Sequence, residues 1–137
     1  MFYPVRFDEA EDGVDVNIRD LGVSLTYPDI QQARERTASD IVQQMETKFR
    51  KKKLPIPKPS RPLEGEEVFY IPLKIQSRII LWNEMMHRHM RIIDLAKLLN
   101  TSPAQAQRYV NGSNDVSIES YEKALLRLNM WPKLKVH

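Results

Sequence analysis

The chain has 137 residues, 42% of them hydrophobic and 28% charged, which suits one ordinary domain or two very small ones and excludes a large multi-domain enzyme. No run approaches the ~18 uncharged apolar residues that cross a bilayer, and Met1 to Arg6 is not a basic segment leading into an apolar one, so neither a membrane span nor a secretory leader is expected. The absence of cysteine rules out a disulfide framework and a thiolate metal site, and a reducing cytoplasm is the expected setting. The net charge of +3 is unevenly spread. Residues 1–47 set four arginines against ten carboxylates, residues 48–62 carry seven bases and no acid, residues 63–67 carry three glutamates, and residues 68–137 set ten bases against five acids. An acidic surface and a basic one attract opposite things, so two different partners are expected.

Apolar side chains recur at every second position in Tyr3, Val5, Phe7, in Val14, Val16, Ile18 and in Val23, Leu25, Tyr27, the period of strands with one buried face. Asp8 to Gly13 suits a hairpin connection and Asp20-Leu21-Gly22 the next turn, so a three-stranded meander is predicted. From Asp29, a residue that can cap a helix, the apolar positions become Ile30, Ala33, Thr37 and Ala38, Ile41, Met45 and Phe49. That spacing predicts an amphipathic helix of about six turns ending in Lys48 to Lys53. Cations there complement the carbonyl end of the helix dipole, and they equally suit contact with nucleic acid. Leu54 to Pro62 places four of the nine prolines within eight positions, so an extended, polyproline-like segment is expected. Val68 to Leu73 reads as a short strand with Phe69, Ile71 and Leu73 on one face and Pro72 at an edge or end, returning to the N-terminal sheet.

After Lys74 the pattern is helical. Ile79, Ile80, Trp82, Met85, Met86 and His89 mark a first helix, and Ile92, Leu95, Ala96 and Leu99 a second. Ala106, Tyr109 and Val110 mark a third, and Ile118, Tyr121, Ala124, Leu125 and Leu128 a fourth. The expected protein is α+β, an α/β unit over residues 1–75 and a small all-α unit over 76–137.

The second and third of these helices are joined tightly. Ser102 suits an N-cap, Pro103 the first helical position and Gln105 the third residue of a capping box, while small Ala96 allows close approach, a pattern that predicts a helix-turn-helix. With Ala106 and Tyr109 turned inward, the later helix presents Ser102, Ala104, Gln105, Gln107 and Arg108. Arg pairs bidentately with guanine and Gln with adenine, and Ala admits a thymine methyl. Ser102 and the free N–H groups at the helix start suit a phosphate, and Arg91, Asn111 and Asn114 are further candidates for backbone contact. Ordinary helical hairpins share the spacing; the outward side chains are what point to DNA.

This unit resembles the lambda-repressor-like (XRE-type) helix-turn-helix family, in which the helix pair is followed by an Asn-Gly turn and another amphipathic helix, here Asn111-Gly112 and Ser117 to Leu128. Pro103 stands where the family frequently has a polar residue, which shifts specificity to Gln107 and Arg108. The N-terminal pattern, from Tyr3-Pro4-Val5-Arg6-Phe7 through Gly13 to Asp20, a strand, a long helix, Leu54 to Ser60 and a final strand, resembles the HicB antitoxins of bacterial type II toxin–antitoxin systems. That resemblance covers essentially the whole chain. It implies a partial RNase H-like fold that binds and blocks a HicA toxin, a small mRNA-cleaving protein, and a C-terminal unit that binds operator DNA. One recognition helix reads too few base pairs for useful specificity, so a homodimer or higher oligomer is expected.

An RNase H-like outline raises the question of catalysis. Metal-dependent nuclease chemistry needs carboxylates converging on a strand end, whereas Asp8, Glu9, Glu11 and Asp12 crowd an expected exposed hairpin and Asp15 alternates with core residues. No enzyme activity, cofactor or metal site is therefore expected, and these five carboxylates are expected to dock a basic toxin. His87 and His89 stand two apart, roughly 200° around a helix, and do not share a metal as residues four apart can. Lys133, Lys135 and His137 fall in the tail. The alternatives are an orphan or phage-type transcription regulator and a metal-dependent nuclease with a DNA-binding domain.

Overall fold

The computed structural model describes residues 1–113 and 115–130; Asn114 and residues 131–137, with Lys133, Lys135 and His137, lie outside the described residues. Among the described residues the fold is α+β, with a four-stranded antiparallel sheet and five helices. The chain forms two compact units, Met1–Lys52 with Ile56–Pro72, and Lys53–Pro55 with the residues from Leu73 onward.

In the first unit, β1 (Phe2–Ala10), β2 (Gly13–Ile18) and β3 (Val23–Tyr27) form the meander that the two-residue alternation predicts. β4 (Glu67–Tyr70) pairs with the free side of β1, giving the order β3-β2-β1-β4. The inward row of Tyr3, Val5, Val14, Val16, Ile18, Val23 and Tyr27 is buried, and α1 (Ile30–Met45) packs on β2 and β3. Asp29 caps α1, its carboxylate accepting the Gln32 N–H at 2.8 Å. The buried residues of α1, Ala33, Thr37, Ile41 and Met45, are spaced by four. In a straight α-helix each such step drifts ~40° around the axis, which walks the stripe off the sheet. The following Glu46–Arg50 widens into a π turn, with the Lys51 N–H reaching the Glu46 carbonyl, and the wider turn returns Phe49 to the buried row.

Two strand boundaries differ from the sequence expectation. Asp8 and Glu9 are strand residues rather than connection, because β1 continues to Ala10 and pairs Asp8 with Asp15 and Glu9 with Val14. Only Glu11 and Asp12 remain as the turn. Gly13 is required after it, since a Cβ there would lie 2.7 Å from the Tyr27 carbonyl oxygen. Leu73 is not on the β4 face but opens α2 (Leu73–His87). The Ile71 N–H still donates to the Met1 carbonyl at 2.9 Å, but Pro72 has no N–H to extend the ladder.

The proline segment carries neither helix nor strand and is held along the first unit from Ile56 onward. The Tyr3 hydroxyl donates to the Pro57 carbonyl at 2.5 Å. Asp20 accepts both the N–H and the hydroxyl of Ser60 at 2.8 Å, and Arg19 spans the Ser60 hydroxyl, the Arg61 carbonyl and the Glu66 carboxylate.

The second unit consists of α2, α3 (Ile92–Leu99), α4 (Pro103–Gln107) and α5 (Ile118–Arg127). α2, α3 and α5 end alike, with His89, Asn100 and Asn129 left-handed and the N–H after each reaching back five residues, to Met85, Ala96 and Leu125. His89 is thus past the helix rather than on it. The third helix is also shorter than expected: Tyr109 and Val110 lie beyond α4, where the N–H groups of Arg108, Tyr109 and Val110 turn to carbonyls three residues back. Ile118 is exposed rather than in the core. The Trp82 indole N–H donates to the Leu54 carbonyl at 2.8 Å, which holds residues 53–55 with this unit. Among the described residues no helix is long and apolar enough to cross a membrane.

The Tyr27 hydroxyl donates to Asp40 at 2.6 Å, tying β3 to α1. Burial, and then this bond, push the phenol up to about 12. The folded state keeps a proton that the unfolded chain releases near pH 10, so this contribution is complete below about pH 10 and lost as the pH rises through about 12. Tyr27→Phe should lose about 1–3 kcal/mol at neutral pH and show a shallower alkaline decline, both measured by urea unfolding.

Candidate functional site

The α3–α4 corner is built by local chemistry. Asp94 accepts the Arg91 N–H at 2.8 Å and its Nε–H at 3.3 Å; these bonds hold the Asp94 carboxyl below its ordinary value and fix Arg91 at the start of α3. Asn100 closes α3 in the left-handed conformation. Ser102 then caps α4, its hydroxyl oxygen accepting the Gln105 N–H at 3.1 Å, with Pro103 in the first turn and Ala106 fully buried. Ser102, Ala104, Gln105 and Arg108 are exposed together, whereas Gln107 is half-buried and turned partly from that row. Asn111 is exposed, but its side-chain oxygen accepts the Ser113 N–H at 3.0 Å. Asn114 lies outside the described residues.

Two residues that the sequence reading passes over organise this surface. Asp115 meets Arg108 at 3.1 Å, with both side chains 51% exposed. The Ser113 hydroxyl also donates to it, and that bond, followed by the Arg108 charge, holds the carboxyl below its ordinary value. Arg78 is buried on α2. It donates to the Tyr121 hydroxyl at 3.2 Å and to the Ser113 carbonyl at 3.0 Å, and the Tyr121 hydroxyl donates to the Tyr109 carbonyl at 2.8 Å. One guanidinium thereby ties α2 to α5 and to the loop between α4 and α5. Its signal was available: Arg78 lies four residues before Trp82 and seven before Met85, on the apolar stripe of α2.

The five acidic candidates of the first unit are all exposed, yet they do not form one cluster. Asp8 and Asp15 lie directly opposite each other on the sheet face away from α1, and the Thr26 hydroxyl donates to Asp15 at 3.1 Å. Glu9 points to the other face, where its charge acts on Arg34, and Glu11 and Asp12 form the turn. Like charges directly opposite on neighbouring strands are destabilising, so the Asp8–Asp15 pair is a cost to the fold. The same face carries Phe2 and Tyr70, with ring centroids 5.4 Å apart, and Val68; all three are exposed.

In the basic run, Lys48 does not serve its own helix end. Its ammonium donates to the carbonyls of Leu21 and Gly22 at 2.9 and 2.6 Å, closing the turn in which Gly22 is left-handed. Arg50 pairs with Glu46, while Lys51, Lys52 and Lys53 are exposed. Among the described residues no three His, Asp or Glu side chains are grouped to hold a metal ion.

No family model matches the chain. A curated protein named Antitoxin HicB 2, from Photorhabdus laumondii subsp. laumondii, is 30% identical over 125 residues, which is 91% of this chain and 88% of that protein.

Removing the buried guanidinium strands a hydroxyl and a carbonyl. Arg78→Ala should therefore lower stability by about 1–3 kcal/mol, read as a reduced urea midpoint.

Proposed function

Because this chain belongs to the HicB antitoxin family, we propose that it neutralises a HicA-type, mRNA-cleaving toxin through residues 1–75 and represses its own operon through residues 76–137. The observation that carries this reading is the extent of the likeness: 125 aligned residues exceed either unit alone, so the similarity runs through both. The protein acts by binding in the cytoplasm and catalyses no reaction.

The first unit is read as a partial RNase H-like fold whose sheet face away from α1 meets the toxin. Asp8 and Asp15, with Glu11 and Asp12 at the turn and Glu9 at the margin, offer negative charge to a basic RNA-binding partner. Their mutual repulsion is relieved when that partner supplies cations. The second unit is read as a helix-turn-helix made by α3 and α4. Ser102, Ala104, Gln105 and Arg108 enter the major groove, Gln107 stands at its margin, and Arg91 and Asn111 lie toward the phosphates, with Asn114 a further phosphate-contact candidate from the sequence alone. A homodimer places two such surfaces on a palindromic operator.

The two roles separate by mutation. Arg108→Ala should weaken operator binding about ten- to hundredfold in a mobility-shift assay while the toxin still co-purifies; loss of both from a folded variant would refute the division of labour. Asp8→Asn should weaken toxin binding by about tenfold, the scale of one lost charge contact at an interface, while leaving thermal stability unchanged or higher. A variant that loses stability but keeps its toxin affinity would show that the acids serve the fold. Operator affinity should also fall steeply between low and physiological salt, because phosphate contacts release counterions.

A further inference from the structure

Residues 101 to 117 contain one basic side chain, Arg108, and one acidic side chain, Asp115, and the two meet at 3.1 Å. On a surface that faces phosphates an acid is unfavourable, since it repels the polyanion that the arginine attracts. The pair is also a poor stabiliser, because both side chains are half exposed and water screens them. What a carboxylate does supply is aim: it fixes the plane and direction of a guanidinium on an otherwise flexible side chain. Asp115 is itself held in place. Ser113 donates its hydroxyl to Asp115 and its N–H to Asn111, and the Ser113 carbonyl accepts from the buried Arg78 at 3.0 Å. A continuous polar mount therefore runs from α2 through the loop to the tip of Arg108.

We propose that Asp115 is a positioning residue that orients Arg108 for reading a base, making Asp115 and the Ser113 that holds it determinants of operator specificity. This rests on the DNA-binding reading of the second unit.

The test uses the full chain. The wild type is first used to select a binding site from a random-sequence duplex library, and affinities for the selected and a scrambled duplex are then compared among variants. Asp115→Asn should fold as the wild type, bind scrambled DNA at least as well for want of one negative charge, and bind the selected site less well. The ratio of the two affinities should fall about tenfold, the scale of one well-aimed bidentate base contact. Asp115→Glu should recover part of the ratio, and Asp115→Asn should leave it unchanged when Arg108 is already Ala. An unchanged ratio in the single variant, or the same fall in the Arg108→Ala background, overturns the proposal. Should the wild type enrich no sequence at all, the DNA-binding reading falls and this proposal with it; should it enrich one that Asp115→Asn reads equally well, only this proposal falls.

Discussion

A single helix can cover one face of a small sheet and no more. That constraint organises the first unit. α1 takes the inward row from Val14 to Tyr27, and keeping contact along its whole length requires the π turn that returns Phe49 to the buried stripe. α1 does not reach the opposite face, whose composition is not what solvent alone would select. Two aspartates oppose each other at the hairpin end, and two aromatic rings are exposed at the β4 edge. A surface that is unfavourable for the isolated fold in two different ways, by charge and by exposed apolar area, is one that a second molecule can improve.

The second unit solves a different problem. α4 has five residues, far too few for a helix to persist on its own. It is held by what surrounds it: the left-handed turn at Asn100, the Ser102 cap, the burial of Ala106, and beyond its end the loop fastened to Arg78. A buried guanidinium is seldom the cheapest way to stabilise a core, since an apolar side chain of similar volume usually serves as well. Its five fixed donors are the better account of why it sits there, because no apolar residue can set the path of a loop.

The regular elements were legible in the sequence because burial on one side imposes a period. Three strands follow from alternate apolar residues, and α1 follows from a stripe of fours beginning at a capping aspartate. Where both faces of a strand are wet the period vanishes, which is why Asp8 and Glu9 read as a connection although they pair with Asp15 and Val14. The apolar run across Pro72 hid a change of element, since Leu73 continues the hydrophobicity but not the strand. The outward side chains of the α3–α4 corner were recoverable from cap chemistry and spacing. Asp115 leaves no periodic trace, because its partner Arg108 lies 7 positions away on no shared stripe; Arg78 is marked by its place on the apolar stripe of α2, but its contact with Ser113, 35 positions on, is not. The proline segment carries neither helix nor strand, as its proline density dictates, but a chain without internal hydrogen bonds binds whatever surface offers partners, and only the fold reveals that Asp20, Arg19 and Tyr3 do so.

The placement of residues 53–55 bears on how such a protein can evolve. Since Lys53–Pro55 belongs with the helical unit while Ile56–Pro72 returns to the sheet, the polypeptide passes between the units three times, not once. Neither unit is a continuous segment of the gene. A recombination event that joined residues 76–137 to a foreign neighbour would deliver a Trp82 indole without the Leu54 carbonyl that receives its N–H. Exchange of whole units is thereby handicapped here, and change in either is channelled into point substitutions within an inherited pair.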